Sequence, residues 1–402
     1  MSTSQLFHAQ GIREFHHVKE EYRDGKIYKT IRRAPGKVRC PRCGSRSVKA
    51  RAWGSRQIMG LPIGDRKVIL VVKLFRLRCG KCRADVRESL PFANPKARYT
   101  HGVARYVLGL RRHMTVEAIA RHLGLRWQTV KDIEKAYLQR KYAHVPLRGV
   151  RALGIDEIYV GRRKFMTVVL NLQTGDVLFV GPGKSGETLR PFLRRLKRSG
   201  ARIEAVAMDM SKAYTAWVKD HCPNARIVYD KFHVVKKMNE AVDEVRREQQ
   251  RRLETREGRR MLKGTRWLLL RGQGQLEADR QAELEELLRW NQPLAVSYQL
   301  KEKLRLLWDE AGFAKGEEFL DEWCAQAVAS GVKPLMKMAK TLTAHRSGIL
   351  AYFDCGRLTS ARVEGFNNKI RWLIRQAYGY RDWEYFTLKV YHLPDSTLQI
   401  VL

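Results

Sequence analysis

Two pairs of cysteines, Cys40-Pro-Arg-Cys43 and Cys79-Gly-Lys-Cys82, constrain the first quarter of this chain more tightly than any other feature. A C-x-x-C turn aims two thiolates at one point, and two such turns complete a tetrahedral Zn²⁺ shell. Gly44 and Gly80 ease the tight backbone at each turn. The 35 residues between the pairs exceed the usual ribbon spacing, a gap that a hairpin can fill. VILVVKLFRLRC (68–79) reads as a strand running straight into the second pair, in the manner of zinc-ribbon and treble-clef modules. Four thiolates leave no open position, so the expected zinc is structural, held by Cys40, Cys43, Cys79 and Cys82. A redox dithiol needs only one pair, and Cys222, Cys324 and Cys355 are scattered.

A second pattern follows in TVEAIARHLGLRWQTVKDIEKAYLQ (115–139). Apolar Val116, Ile119, Ala120 and Leu123, a turn at Gly124, then Val130 and Ile133 give helix-turn-helix spacing. The second helix opens with Arg126, Trp127, Gln128, Thr129 and Lys131, side chains that such a helix presents to major-groove edges and phosphates. The same spacing would serve a packing hairpin, and charge favours the DNA reading. The chain carries 78 Lys+Arg against 41 Asp+Glu, and residues 1–150 hold 34 of those bases but only 10 of the acids. An excess of this kind points to a polyanionic partner. No apolar run approaches the roughly 18 residues of a spanning helix. VILVVKLF is already interrupted by Lys73, and MSTSQLFHAQ lacks the order of a signal peptide. The expectation is a cytoplasmic binder of double-stranded DNA with no membrane role.

From residue 150 the pattern turns α/β. ALGIDEIYV, KFMTVVLNL and DVLFVGP read as three strands, followed by the helix ETLRPFLRRLK and a strand, IEAVAMDM, ending at Asp209. The helix SKAYTAWVKDH, the short strand ARIVYD ending at Asp230 and a long helix from Phe232 to about Arg252 complete the series. Three antiparallel strands, a helix, a strand, a helix and a strand is the order of a ribonuclease-H-like core. Residues 240–350 read as nearly all helix. The core is then closed by LTSARVEGFNNKIRWLIRQAYGY, whose Val363, Phe366, Ile370 and Leu373/Ile374 keep helical spacing with Glu364 off the stripe. The expected fold is multidomain α+β. A zinc-binding module spans 1–95, a helix-turn-helix 96–148, the ribonuclease-H-like core 149–239 and 351–402, and an all-helical insertion 240–350.

Asp156 in the first core strand, Asp209 at the end of the fourth and Glu364 on the last helix stand where this fold gathers carboxylates. Strand alternation puts Asp156 and Glu157 on opposite faces. Hard oxygens suit Mg²⁺ or Mn²⁺, and two such ions about 3.5–4 Å apart can activate a nucleophile and stabilise a leaving oxygen.

Over nearly its whole length the sequence resembles the DDE-type transposases of bacterial insertion sequences, closest to the ISL family. The resemblance is carried by CPRCG and CGKC, the helix-turn-helix, GIDE, VAMDMSKAY, DKFHVVKKMNEAVDEVRR and EGFNNKIRWLIRQAYGYRDWEYF. It implies that Asp156, Asp209 and Glu364 are the catalytic triad, and that the N-terminal third recognises terminal inverted repeats. Strand cleavage, joining to target DNA and a homo-oligomer on DNA in the bacterial nucleoid follow from the same likeness. It also flags Asp230, His233 and Asn367 as accessory residues, and sets Lys369, Arg371 and Arg375 against the DNA backbone. The second cysteine turn departs from the pattern, with Arg83 where the first has Gly44. A DNA-binding repressor without catalysis and a structure-selective nuclease are the rival functions, the first opposed by three intact acids.

Overall fold

The structure, a computed structural model, describes residues 5–34, 36–161, 163–272 and 276–395, and the chain divides into two compact units, Met1–Ala143 and His144–Leu398. In the first, a short helix α1 (Gln5–His8) precedes strands β1 (Phe15–Arg23), β2 (Lys26–Arg33), β3 (Val48–Met59), β4 (Lys67–Cys79) and β5 (Asp85–Arg87). The sheet order is β1-β2-β4-β3, with β5 also on β4. As expected, the residues between the cysteine pairs form an antiparallel hairpin, β3 on β4, in a register that runs from Met59↔Ile69 back to Val48↔Cys79. Alternate residues Val68, Leu70 and Val72 face inward and pack with Ile27, Ile31, Ile58 and Phe92.

Helices α2 (His101–Leu110), α3 (Val116–Leu123) and α4 (Trp127–Lys141) follow. Thr100 and Thr115 cap α2 and α3 by accepting from the amides of Val103 and Ala118. Val103, Val107, Ile119, Leu123, Val130 and Ile133 form their shared core, and Arg111 donates to Glu134 at 2.7 Å, tying the end of α2 to α4.

The second unit is built on strands β6 (Ala152–Gly161), β7 (Lys164–Asn171), β8 (Val177–Pro182), β9 (Ala205–Met208) and β10 (Arg226–Tyr229), in the order β10-β9-β6-β7-β8. The first three are antiparallel neighbours, whereas β9 and β10 run parallel to β6. This is the ribonuclease-H-like topology. Helices α5 (Arg190–Ser199), α6 (Lys212–His221) and α7 (Lys231–Arg252) alternate with the later strands. The insertion continues through α8 (Arg256–Gly264), α9 (Arg266–Leu270), α10 (Ala278–Trp290), α11 (Gln292–Arg305), α12 (Phe313–Ala329), α13 (Lys333–Ala344) and α14 (Arg346–Asp354). Then α15 (Ala361–Gln376) and α16 (Trp383–His392) return to the sheet. Residue 240 falls inside α7, and one apolar core runs from Ile155, Val206 and Met208 through Val234 and Met238 to Leu304, Trp308 and Trp323. Among the described residues no helix is long and apolar enough to cross a membrane.

The opposite face of the sheet is covered by α15 and α16, where Val363, Phe366, Ile370 and Phe386 meet Ile158, Val168 and Leu170. Gly154 permits that approach. A Cβ at this position would lie 2.4 Å from Val363 Cγ2 and 2.8 Å from Leu172 Cδ2. Gly154→Ala must therefore push α15 off β6. It is expected to cost about 1–3 kcal/mol of stability, as overpacking does, with a lowered Tm as the measurement. An unchanged Tm would mean that the helix shifts freely.

Candidate active site and zinc centre

The parallel register sets the candidate active site. Ile155 pairs with Met208, and Met208 with Tyr229, so the next residues of β6, β9 and β10 are Asp156, Asp209 and Asp230. Neighbouring strands lie about 4.8 Å apart, which puts three acids in one row across the carboxyl ends of β9 and β10 and the middle of β6. Asp156 faces α15, as Gly154 does two residues earlier: its Oδ2 accepts from Asn367 Nδ2 at 2.6 Å, and its Oδ1 from the Glu157 amide at 2.8 Å. Asp209 Oδ1 accepts from the Ser211 amide at 2.9 Å. Asp230, buried, caps α7 through the Phe232 amide and accepts from the Ser360 hydroxyl. On α15, Ser360, Glu364 and Asn367 are spaced i, i+4, i+7 and so form one stripe. Glu364 is half-buried between the two hydrogen-bonded positions.

Burial pushes the Asp156 carboxyl above its ordinary range and the Asp209 carboxylate adds to this, opposed by the Glu157 amide, His233 and Asn367. His233, in the first turn of α7, is therefore part of this electrostatic neighbourhood, with its ring edge-on to Phe232. Glu157 lies on the other face, cross-strand from Thr167, yet burial and then Asp209 raise its carboxyl too. It is less isolated from the acid row than strand alternation alone suggests.

The donor set fits a hard divalent cation. Asp156, Asp209 and Glu364 would offer it carboxylate oxygens, and Asn367 Oδ1 is buried without a hydrogen-bond partner beside Asp156. The carboxylate oxygens of the three acids do not all come within 4.8 Å of one another. A cation between them would supply an attraction that three like charges lack.

The four cysteine sulfurs do lie within 4.8 Å of one another. Cys40 Sγ is 3.7 Å from Cys82 Sγ, and Cys43 Sγ is 3.6 Å from Cys79 Sγ. Tetrahedral zinc with bonds of about 2.3 Å requires sulfurs about 3.8 Å apart, so the residues fit Zn²⁺ closely. In the second turn the Cys82 amide donates to Cys79 Sγ at 3.4 Å, and this bond leads in holding the Cys79 thiol down at about 6. The Cys43 amide acts likewise on Cys40, whose thiol is also lowered. The Ser45 amide favours the Cys43 thiolate, but burial and the neighbouring thiols outweigh it and hold Cys43 up at about 11, so Cys40 and Cys79 are the sulfurs nearest the thiolate form that binds metal.

At the tip of α4, Arg126, Trp127 and Gln128 are exposed and Thr129 is half-buried. Gln128 Nε2 donates to Asp132 Oδ1 at 2.7 Å. Lys131 departs from the expected open phosphate contact, because it is buried, with its ammonium 5.8 Å from the Trp127 ring centroid. Lys369, Arg371 and Arg375 line the exposed side of α15, away from Val363 and Ile370. Sequence reasoning missed Ser360. Its place before an apolar stripe marks a helix start, but not the destination of its hydroxyl.

Comparison with known proteins agrees with this architecture. Residues 153–390 match the DDE transposase family of the ISL3 type. Residues 88–138 match the helix-turn-helix domain of transposase family ISL3, and residues 36–82 the zinc-finger of transposase IS204/IS1001/IS1096/IS1165. The chain is 38% identical over 356 residues to the transposase for insertion sequence element IS1001 of Bordetella parapertussis, covering 87% of each chain. It is 30% identical over 373 residues to the transposase for IS1557 of Mycobacterium tuberculosis, covering 85% of this chain and 82% of that one. Topology and sequence together define the class, a DDE transposase of an insertion sequence. The chain belongs to the ISL3 family of these transposases.

One departure in the zinc ribbon can be tested directly. Gly44 (φ 73°) and Arg83 (φ 57°) take the same left-handed conformation after the last cysteine of each turn. A non-glycine residue there costs about 1–2 kcal/mol, partly offset by the greater unfolded-state freedom of glycine. Arg83 is exposed. Arg83→Gly is therefore expected to stabilise the zinc module by about 0.5–1 kcal/mol, read as a higher chelator concentration for zinc release. A lower concentration would show that Arg83 has a stabilising role of its own.

Proposed function

We propose that this protein binds the terminal inverted repeats of its insertion sequence, cleaves DNA at the element ends and joins the freed 3′-OH to target DNA. The observation that carries the reading is the in-register row of Asp156, Asp209 and Asp230, crossed by the Ser360, Glu364 and Asn367 stripe of α15. Asp156, Asp209 and Glu364 would hold Mg²⁺ or Mn²⁺, because all three are half-buried and open toward the site, whereas Asp230 is buried, bonded to Ser360 and to the first turn of α7. When bound, two such cations polarise the scissile phosphate and stabilise the attacking and leaving oxygens. Asn367 fixes the Asp156 carboxylate by its 2.6 Å hydrogen bond. His233 lies near enough to Asp156 to favour its ionised form. In the first step water attacks the phosphodiester at the element end, and the bond to the 3′ oxygen breaks to leave a 3′-OH. In the second, that hydroxyl attacks a target phosphodiester, forming a new P–O bond and releasing a target 3′-OH. One acid site serves both displacements.

Arg126, Gln128 and Thr129 at the start of α4 are assigned to the terminal repeats, and Lys369, Arg371 and Arg375 to the DNA backbone beside the site. We assign the chain to the bacterial cytoplasm and nucleoid, acting as a homo-oligomer on DNA that brings two ends together.

Asp156→Ala, Asp209→Ala and Glu364→Ala are each expected to abolish cleavage and joining while binding to end DNA stays within about threefold of wild type. Wild-type cleavage by any one removes that residue from the triad, and wild-type cleavage by all three leaves only a DNA-binding function. A pH test follows from the raised Asp156 carboxyl. Its folded pKa lies above the unfolded one, so the ionised form costs stability at neutral pH, and that cost is relieved as pH falls. Metal needs the ionised form. The rise in Tm given by Mn²⁺ should therefore shrink on acidification, starting above the usual carboxylate range. A rise that stays constant as pH falls into the usual carboxylate range would place the metal elsewhere.

Recognition divides similarly. Gln128→Ala should relax base preference at one position of the repeat by roughly 1–3 kcal/mol. Arg126→Ala should weaken cognate and scrambled DNA alike and reduce the salt slope by about one. Equal effects of both substitutions on both DNAs, in a binding titration across salt, would reduce α4 to a packing helix.

A further inference from the structure

Ser360 occupies the N-cap of α15, where a serine normally accepts a hydrogen bond from the amide two or three residues on. Here it makes no such bond. Its hydroxyl is donated instead to Asp230 Oδ2, 130 residues earlier, with both residues buried at 4% and 5% exposure. A hydrogen bond to a charged carboxylate is roughly twice as strong as a neutral one, and at this depth water does not compete. The Ser360 carbonyl meanwhile accepts from the amides of Val363 at 2.7 Å and Glu364 at 3.0 Å, so the first turn of α15 is wired directly to this residue. One helical stripe is thus pinned at both ends, Ser360 to Asp230 and Asn367 to Asp156, with Glu364 between.

We propose that Ser360 is a positioning residue: its bond to Asp230 fixes the direction of the first turns of α15 and thereby sets where Glu364 stands relative to Asp156 and Asp209. The inference rests on the metal-binding role proposed above for those three acids. The apolar stripe packed on the sheet resists roll, but a helix tied at one point can swing about it, and a second tie two turns away prevents this. Glu364 lies about 4.5 Å along the axis from Asn367, so a swing of about 20° about that tie moves it by about 1.5 Å. Metal ligands tolerate only about 0.2 Å. The second pin is therefore the difference between a glutamate near the metal and one bonded to it.

The test compares full-length Ser360→Ala, Asp230→Asn and Glu364→Ala with wild type. Binding of Mn²⁺ alone is followed by electron paramagnetic resonance, and cleavage is followed on a plasmid carrying the element ends. Ser360→Ala is expected to bind Mn²⁺ about tenfold more weakly, the scale on which supporting residues act on metal sites, and to regain cleavage when Mn²⁺ is raised correspondingly. Its zinc content and end-DNA binding should match wild type. Wild-type Mn²⁺ affinity in a folded Ser360→Ala overturns the proposal. If that variant does not fold, Asp230→Asn decides: asparagine still caps α7 but removes the charge from the bond to Ser360. Weakened Mn²⁺ binding then supports the proposal and unchanged binding overturns it. Wild-type Mn²⁺ binding in Glu364→Ala would instead sink the reading of the acid site itself.

Discussion

The second unit depends on one close approach, α15 lying on β6 over a position with no side chain. Gly154 leaves the space that Val363 fills, and two residues further along the same face Asp156 meets Asn367. Apolar burial supplies the attraction, because Val363, Phe366 and Ile370 are removed from water against the sheet. Polar groups supply the register. A hydrophobic stripe alone would let the helix slide or swing, whereas hydrogen bonds to Asp156 and Asp230 admit one arrangement. The acids are thus both the proposed metal site and part of what assembles it.

Much of this was legible in the sequence, for identifiable reasons. Asp156 and Asp209 stand in or just beyond apolar strands, where a carboxylate has no packing purpose, and the order of elements places those strands side by side. The hairpin between the cysteine pairs was legible because VILVVKLFRLRC reads as a strand leading directly into the second pair. Ser360 was not, since its partner is 130 residues away and a serine before a helix has an ordinary explanation. Lys131 misled for a related reason. The buried arc of α4 includes Lys131 and Glu134 beside Val130 and Ile133, so a charged residue lies where periodicity alone suggests solvent. Arg83 shows the converse: a turn can keep its left-handed geometry without the glycine that usually marks it.

The first unit follows the same logic with different chemistry. Its sheet is held at one end by apolar residues of β2 and β4 and at the other by four sulfurs, so the hairpin is closed where the strands would otherwise fray. A module with so large an excess of positive charge repels itself. Zinc binding adds folding free energy that such a module needs, and the surface is left free to carry the charge that nucleic acid requires.

Helix α7 is capped by Asp230, in the acid row, and runs 22 residues without a break from Lys231 to Arg252. At 1.5 Å per residue it is a rod about 33 Å long, and tilting it by about 2° at one end moves the other by about 1 Å. Helices α8, α9, α11 and α13 of the insertion pack along this rod. The insertion and the carboxylate that grips Ser360 therefore share one unbroken stretch of helical backbone.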